Sequence, residues 1–163
     1  MFFILLLVLI VTIEAIVPSL PLCDDCDINV SRVGLGTLHI GTEELNTTEA
    51  VSNWINHAYN NLGITLFDLA DVYPVRGGTA GESAKLIGDA LSLTPGLREK
   101  LTLVCKMDII FPSAVDTSTE YLTQQINWFL ESLKTTYLDV VLIHFSDAKM
   151  DANQVAHFFQ DLK

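Results

Sequence analysis

From Val30 onward the sequence alternates short apolar runs with longer stretches in which apolar residues return every three or four positions. This alternation leaves few folds open. Each run needs burial on both faces, each amphipathic stretch needs one face covered, and a parallel sheet lined by helices satisfies both. The expected strands are VSRVGLGTLHI, ITLFD, LTLVC and LDVVLI. After the first, Thr47 is placed to cap a helix that carries Val51, Trp54, Ile55, Ala58 and Leu62 on one side and ends at Gly63. GESAKLIGDALS forms the second helix, stopped by Pro95 and Gly96. The third opens with a capping box of Thr117 and Glu120 and presents Leu122, Ile126, Phe129, Leu130 and Leu133. Asp151 caps the fourth, which carries Val155, Phe158, Phe159 and Leu162. No linker or low-complexity segment interrupts the series, so four βα units in one domain are expected.

The first strongly polar residue met at the end of each later strand is Asp68, Lys106 and His144. Asp68 to Lys106 and Lys106 to His144 are both 38 residues. One unit therefore repeats, and each copy delivers a different ionisable group to the same edge of the sheet, the C-terminal edge where reacting groups gather in parallel α/β folds. Tyr73 follows Asp68 by five residues in FDLADVY. A tyrosine, with an ordinary pKa of about 10, is a poor acid until an ammonium stands beside it, and a carboxylate can hold that ammonium in place. A histidine nearby can orient a carbonyl oxygen. Together the four suit protonation of a carbonyl oxygen while hydride reaches the carbon, which is carbonyl reduction. Taken singly, each has a plainer explanation: a turn aspartate, a solvated lysine, a structural histidine, a packed loop tyrosine. Their matched positions favour the joint reading.

Composition narrows the partners. The formal net charge of −11, from nine Lys and Arg against twenty Asp and Glu, excludes broad contact with a phosphate backbone. No metal-binding pattern is read from the sequence. Gly77, Gly78 and Gly81 lack the spacing and the lysine of a phosphate loop.

The opening MFFILLLVLIVTIEAIVPSLPL reads as a secretory signal peptide: an apolar core over residues 2 to 13, then Glu14, a small Ala15 for cleavage, and helix-breaking Pro18 and Pro21. A membrane anchor is the alternative, weakened by Glu14, since about 20 apolar residues are needed to span a bilayer. Residues 1–22 are thus assigned to the signal peptide and a short tail, and 23–163 to the domain. The expected location is the endoplasmic reticulum lumen or the outside of the cell, where Asn29 and Asn46 become glycan acceptors. Cys23 and Cys26, in CDDC, can close a tight disulfide or act as a redox pair, on a mature N-terminus expected to be flexible; Cys105 is expected to be a buried thiol.

FDLADVY, LTLVCK and YLDVVLIH, in this order, resemble the catalytic tetrad motifs of the aldo-keto reductases, and SRVGLGTLHIG resembles that family's first strand. The resemblance runs from about Val30 to Lys163. It implies a TIM (β/α)8-barrel type of α/β fold, here truncated to about four βα units, and NADPH-dependent reduction of an aldehyde or ketone. By the same resemblance Tyr73 is the general acid, Lys106 lowers its pKa, Asp68 pairs with Lys106, His144 orients the substrate carbonyl, and Gly36 and Thr37 border the cofactor. Asp71 has no counterpart in the tetrad and is expected behind it or in a turn. A half-barrel also leaves two apolar sheet edges, so the expectation includes either a longer protein or a homodimer that rebuilds the closure. The alternative function is a non-catalytic secreted module that dimerises.

Overall fold

The computed structural model describes residues 16–110, 112, 114–145 and 150–162. The apolar core of the expected signal peptide and the cleavage position expected at Ala15 lie outside them. In chain order the strands and helices are β1 (Ser19–Pro21), β2 (Asn29–Ser31), β3 (Gly34–Gly36), α1 (Thr48–Leu62), β4 (Leu66–Ala70), α2 (Glu82–Ser92), β5 (Thr102–Met107), β6 (Ile109–Ile110), β7 (Ala114–Val115), α3 (Thr119–Ser132), β8 (Val140–Ile143) and α4 (Ala152–Gln160).

The central sheet has the order β3-β4-β5-β8, with every pairing parallel. This is the expected α/β half-barrel. Its register is regular: Asp68 lies opposite Val104, and Val104 opposite Val140, a step of 36 residues at each strand pair. Side chains alternate between two faces. Phe67, Leu69, Leu103, Cys105 and Met107 point to the helix layer, and each is no more than 2% exposed. They meet Val51, Ile55 and Ala58 of α1, Ala84 and Ile87 of α2, and Leu122 and Phe129 of α3 in one apolar cluster. Helices α2 and α3 approach closely enough that a Cβ on Gly88 would overlap the Ser132 carbonyl. The opposite face, with Asp68, Val104, Lys106 and Leu142, is only partly covered, and Leu142 is 43% exposed. The expectation of strands buried on both faces therefore holds on the helix side alone, because the described chain places no second layer against the other side.

The helix ends follow their side chains. Thr47 Oγ1 accepts the Ala50 N–H at 3.2 Å, and Gly63, at φ 69°, closes α1 in the left-handed conformation that glycine adopts without strain. Asp151 accepts from Asn153 and Gln154 at the start of α4. At α3 the cap is Ser118, whose hydroxyl accepts the Tyr121 N–H, in place of the expected Thr117 with Glu120. Leu62 and Leu162 sit on expected apolar faces but are 39% and 47% exposed, Leu62 as the last residue of α1 and Leu162 two residues beyond the end of α4.

The long first strand expected from VSRVGLGTLHI is two short ones. Ser31 divides it: its hydroxyl donates to the Val33 carbonyl at 2.7 Å and accepts from the Thr65 and Leu66 amides, which turns the chain between β2 and β3. β2 pairs antiparallel with β1 instead of joining the central sheet. The CDDC turn, with Cys23 and Cys26 disulfide-bonded, lies in the loop between β1 and β2, so the segment expected to be flexible is a hairpin. Val17 anchors its start, donating to the Leu62 carbonyl and packing on the core. Cys105 is buried, as expected, and burial pushes its thiol up to about 12, the range of an inert core cysteine.

Candidate active site

Asp68 is the third residue of β4, Lys106 the fifth of β5, and His144 follows β8 directly. The strand register gives them one face. Lys106 lies two residues beyond Val104, the partner of Asp68, and opposite Leu142; His144 lies two residues beyond Leu142. Because side chains on a strand alternate, a climb of two residues per strand keeps all three on the same side. The equal spacing of 38 is thus the register step of 36 plus one side-chain period.

Tyr73 comes from the loop after β4, where its N–H donates to the Ala70 carbonyl and its own carbonyl accepts from Ser83 at the start of α2. Gly81, at φ 82°, begins that helix, and a Cβ there would come within 2.6 Å of Trp128. The glycines of this loop serve close packing rather than phosphate binding.

The four side chains converge. Lys106 Nζ lies 2.5 Å from Asp68 Oδ2 and donates to Tyr73 Oη at 3.0 Å. The His144 ring stands edge-on to the Tyr73 ring, with centroids 6.0 Å apart, and stacks on the exposed Phe145 at 4.8 Å. Burial alone would push the Lys106 ammonium down. Its hydrogen bonds to Asp68 and Tyr73, with the Asp68 charge, outweigh that and hold it above the ordinary lysine value. Burial, and then the Lys106 charge, push the His144 imidazole below its ordinary value against the pull of Asp68. Lys106 is therefore charged and His144 neutral at pH 7.

Gly36 and Thr37 stand beside Asp68 in different ways. Thr37 is fully buried, and both its N–H and its hydroxyl donate to the Asp68 carbonyl, at 3.1 and 2.9 Å. Its side chain positions the strand that carries Asp68. Gly36 is in register with Asp68, and a Cβ built on it would meet nothing within 4 Å, so the space above it is open. A groove of about 330 Å³ at the same edge is lined by Leu38 and His39 after β3 and by Val75 and Arg76 after Tyr73. Among the described residues no group of three or more His, Cys, Asp or Glu is placed to hold a metal ion.

Asp71 and Asp108 are polar residues of this region to which sequence reasoning gave little or no weight. Asp108 stands outside every motif of the sequence, and Asp71 is expected only behind the tetrad or in a turn. Both are buried: Asp71 Oδ2 accepts the Asp108 N–H at 3.1 Å, and Asp108 Oδ2 accepts the Phe145 N–H at 2.9 Å. The available signal was an acid directly after an apolar strand, in LADV and CKMD, which by itself reads as a turn residue.

A four-stranded parallel sheet with helices on one face, and with Asp, Tyr, Lys and His meeting at its C-terminal edge, is half of a (β/α)8-type barrel. The family model Aldo/keto reductase family matches residues 32–163, and the chain belongs to that family, whose members use nicotinamide cofactors. It is 38% identical over 149 residues to the uncharacterised oxidoreductase YcsN of Bacillus subtilis, covering 84% of this chain and 46% of that protein. It is 32% identical over 135 residues to a 6-dehydroglucose reductase of Novosphingobium aromaticivorans, covering 82% of this chain and 44% of the relative. Among solved structures, an aldo-keto reductase of Bacillus halodurans superposes with a TM-score of 0.68 at 25% identity, over 85% of this chain and 44% of that one. The chain thus spans less than half the length of the curated relatives it matches.

Proposed function

We propose that the chain carries the proton-donating half of an NADPH-dependent carbonyl reductase acting on a small aldehyde or ketone. The observation that carries this reading is the position of Lys106 Nζ between Asp68 and Tyr73, within hydrogen-bonding reach of both. Tyr73 Oη gives its proton to the substrate oxygen. The charged Lys106 donates to Tyr73 Oη and stabilises the phenolate left behind, while Asp68 holds Lys106 in line. Neutral His144, its ring edge beside Tyr73, donates a hydrogen bond that turns the carbonyl toward the phenol. The apolar groove of Leu38 and Val75 receives the rest of the substrate. A reduced nicotinamide, when bound, would supply the hydride, and Gly36, where a Cβ would meet nothing within 4 Å, would border it.

The test is oxidation of NADPH by the purified protein with a panel of short aldehydes and ketones, alongside Tyr73→Phe. Turnover that falls by about a hundredfold or more in the variant supports the reading. Equal turnover removes Tyr73 as the acid.

A second reading is favoured by the uncovered sheet face, where Leu142 and, just beyond β8, Phe145 are 43% and 55% exposed. On this reading two copies join through their sheet edges and the chain is an interaction module. Light scattering on the eluted protein decides: a defined dimer that binds no NADPH supports the module, and a monomer ends it. The leader and the exposed Asn46 support placing either form in the secretory pathway.

A further inference from the structure

The ends of β4, β5 and β8 are tied together behind the tetrad by two carboxylates. Asp71 follows β4; its N–H donates to the Lys106 carbonyl at 3.0 Å, and its Oδ2 accepts the Asp108 N–H. Asp108 follows β5 and is fully buried. Its φ of 123° lies in the left-handed region that a residue with a side chain occupies at a cost. Its Oδ2 accepts the N–H of Phe145, and the residue between, His144, donates its own N–H to the Met107 carbonyl at 3.0 Å. The three strands joined are the three that carry Asp68, Lys106 and His144.

Two buried acids are an expensive way to bind main-chain amides, since each must give up its hydration. Burial pushes Asp71 up to about 6, with Asp108 adding to the rise, and burial also raises Asp108. Among the described residues, neither Oδ1 has a partner, and both are buried. A cost of this kind persists where the surrounding structure holds the group in place, and here it is held in the connection between strand ends.

We propose that Asp71 and Asp108 are positioning residues for His144: a carboxylate strut that fixes the backbone on the C-terminal side of the imidazole and so sets its edge against Tyr73. The role deepens the carbonyl-orienting part given to His144 above and rests on that reading for its catalytic meaning. The geometry itself does not. With the Phe145 N–H released, His144 keeps only the bond to Met107 behind it, and its ring can turn out to solvent with Phe145.

The experiment is an NMR titration of the imidazoles in the full chain, with His144→Gln assigning the signal among the four histidines. Among the described residues, the charged and titratable groups facing His144 are Lys106, Asp68, Tyr73 and, from behind, Asp108. Removing the Asp108 charge alone would lower His144 further, in Asp108→Asn and Asp108→Ala alike. Asparagine keeps an acceptor for Phe145, and alanine does not. The expected result is that His144 titrates higher in Asp108→Ala, toward its ordinary value, and does not rise in Asp108→Asn. Asp71→Ala, one link further back, should move it the same way by less. A folded Asp108→Ala protein in which His144 titrates as in the parent, or rises equally in Asp108→Asn, overturns the proposal. If Asp108→Ala does not fold, Asp71→Ala decides by the same sign. Should the protein also turn over carbonyls, Asp108→Ala should lower kcat by roughly tenfold to a hundredfold with less change in KM, restored by Asp108→Asn. Absence of turnover would count against the reductase reading and leave the titration to judge the strut.

Discussion

The two ends of the sheet carry the same three residue chemistries arranged to opposite effect. At the N-terminal ends of β5 and β8, Arg98 pairs with Asp139 at 2.8 Å and lies 4.2 Å from the Tyr137 ring. At the C-terminal ends of β4 and β5, Lys106 pairs with Asp68 and bonds Tyr73. The first set is tied to the main chain: Arg98 also donates to the Leu101 and Tyr137 carbonyls, and Asp139 accepts the Leu103 N–H. The second is open, with the Asp68 side chain 42% exposed. A cation, a carboxylate and a tyrosine make a brace when backbone groups take up their bonds. They become chemistry when bonding capacity is left facing space.

The contrast can be broken most directly at the braced end. Arg98→Met leaves Asp139 half-buried without its cation and should destabilise the protein by about 3–5 kcal/mol in urea unfolding; a loss under about 1 kcal/mol would make the brace decorative. Asp71 comes next. Its carboxyl keeps a proton to about pH 6 in the folded chain against 3.8 for an ordinary aspartate, so the native state binds more protons between those values. Its stability contribution is therefore complete below about pH 4 and lost as pH rises through about 6, on the order of 3 kcal/mol in all. Asp71→Asn should flatten that slope, and an unchanged slope would assign it elsewhere. At the open end, Lys106→Met should change stability by no more than about 1 kcal/mol while removing any carbonyl reduction. If it destabilises the fold as much as Arg98→Met does, the two ends are not different in kind. The smallest effect is expected at Asp68→Asn, within about 0.5 kcal/mol by thermal melting, because the carboxylate is partly solvated and the amide oxygen still accepts from Lys106.

The strands, the helix faces and the tetrad were legible in the sequence for one reason: they repeat. Phe67, Leu103 and Leu122 answer to periodicity, and Asp68, Lys106 and His144 to a constant spacing, so each is supported by the others. What was missed depends on single local bonds. Ser31 turns the first strand through its hydroxyl, Ser118 takes the cap from Thr117, and β1 with β2 makes a hairpin from a stretch whose apolarity resembled only the tail of a leader. Thr37 shows the same limit inside the site. A threonine after a glycine-rich strand invites a ligand, and only the coordinates show both its donors turned to the Asp68 carbonyl.

The register step of 36 against a site spacing of 38 has a consequence for how such a chain tolerates length changes. One residue inserted between Lys106 and Val140 but outside the strands, ahead of α3, leaves every strand in phase. One residue inserted within β5, between Val104 and Lys106, sends the lysine to the helix layer and a core residue to the open face. Drift in this molecule is free in the loops and forbidden by parity inside the strands.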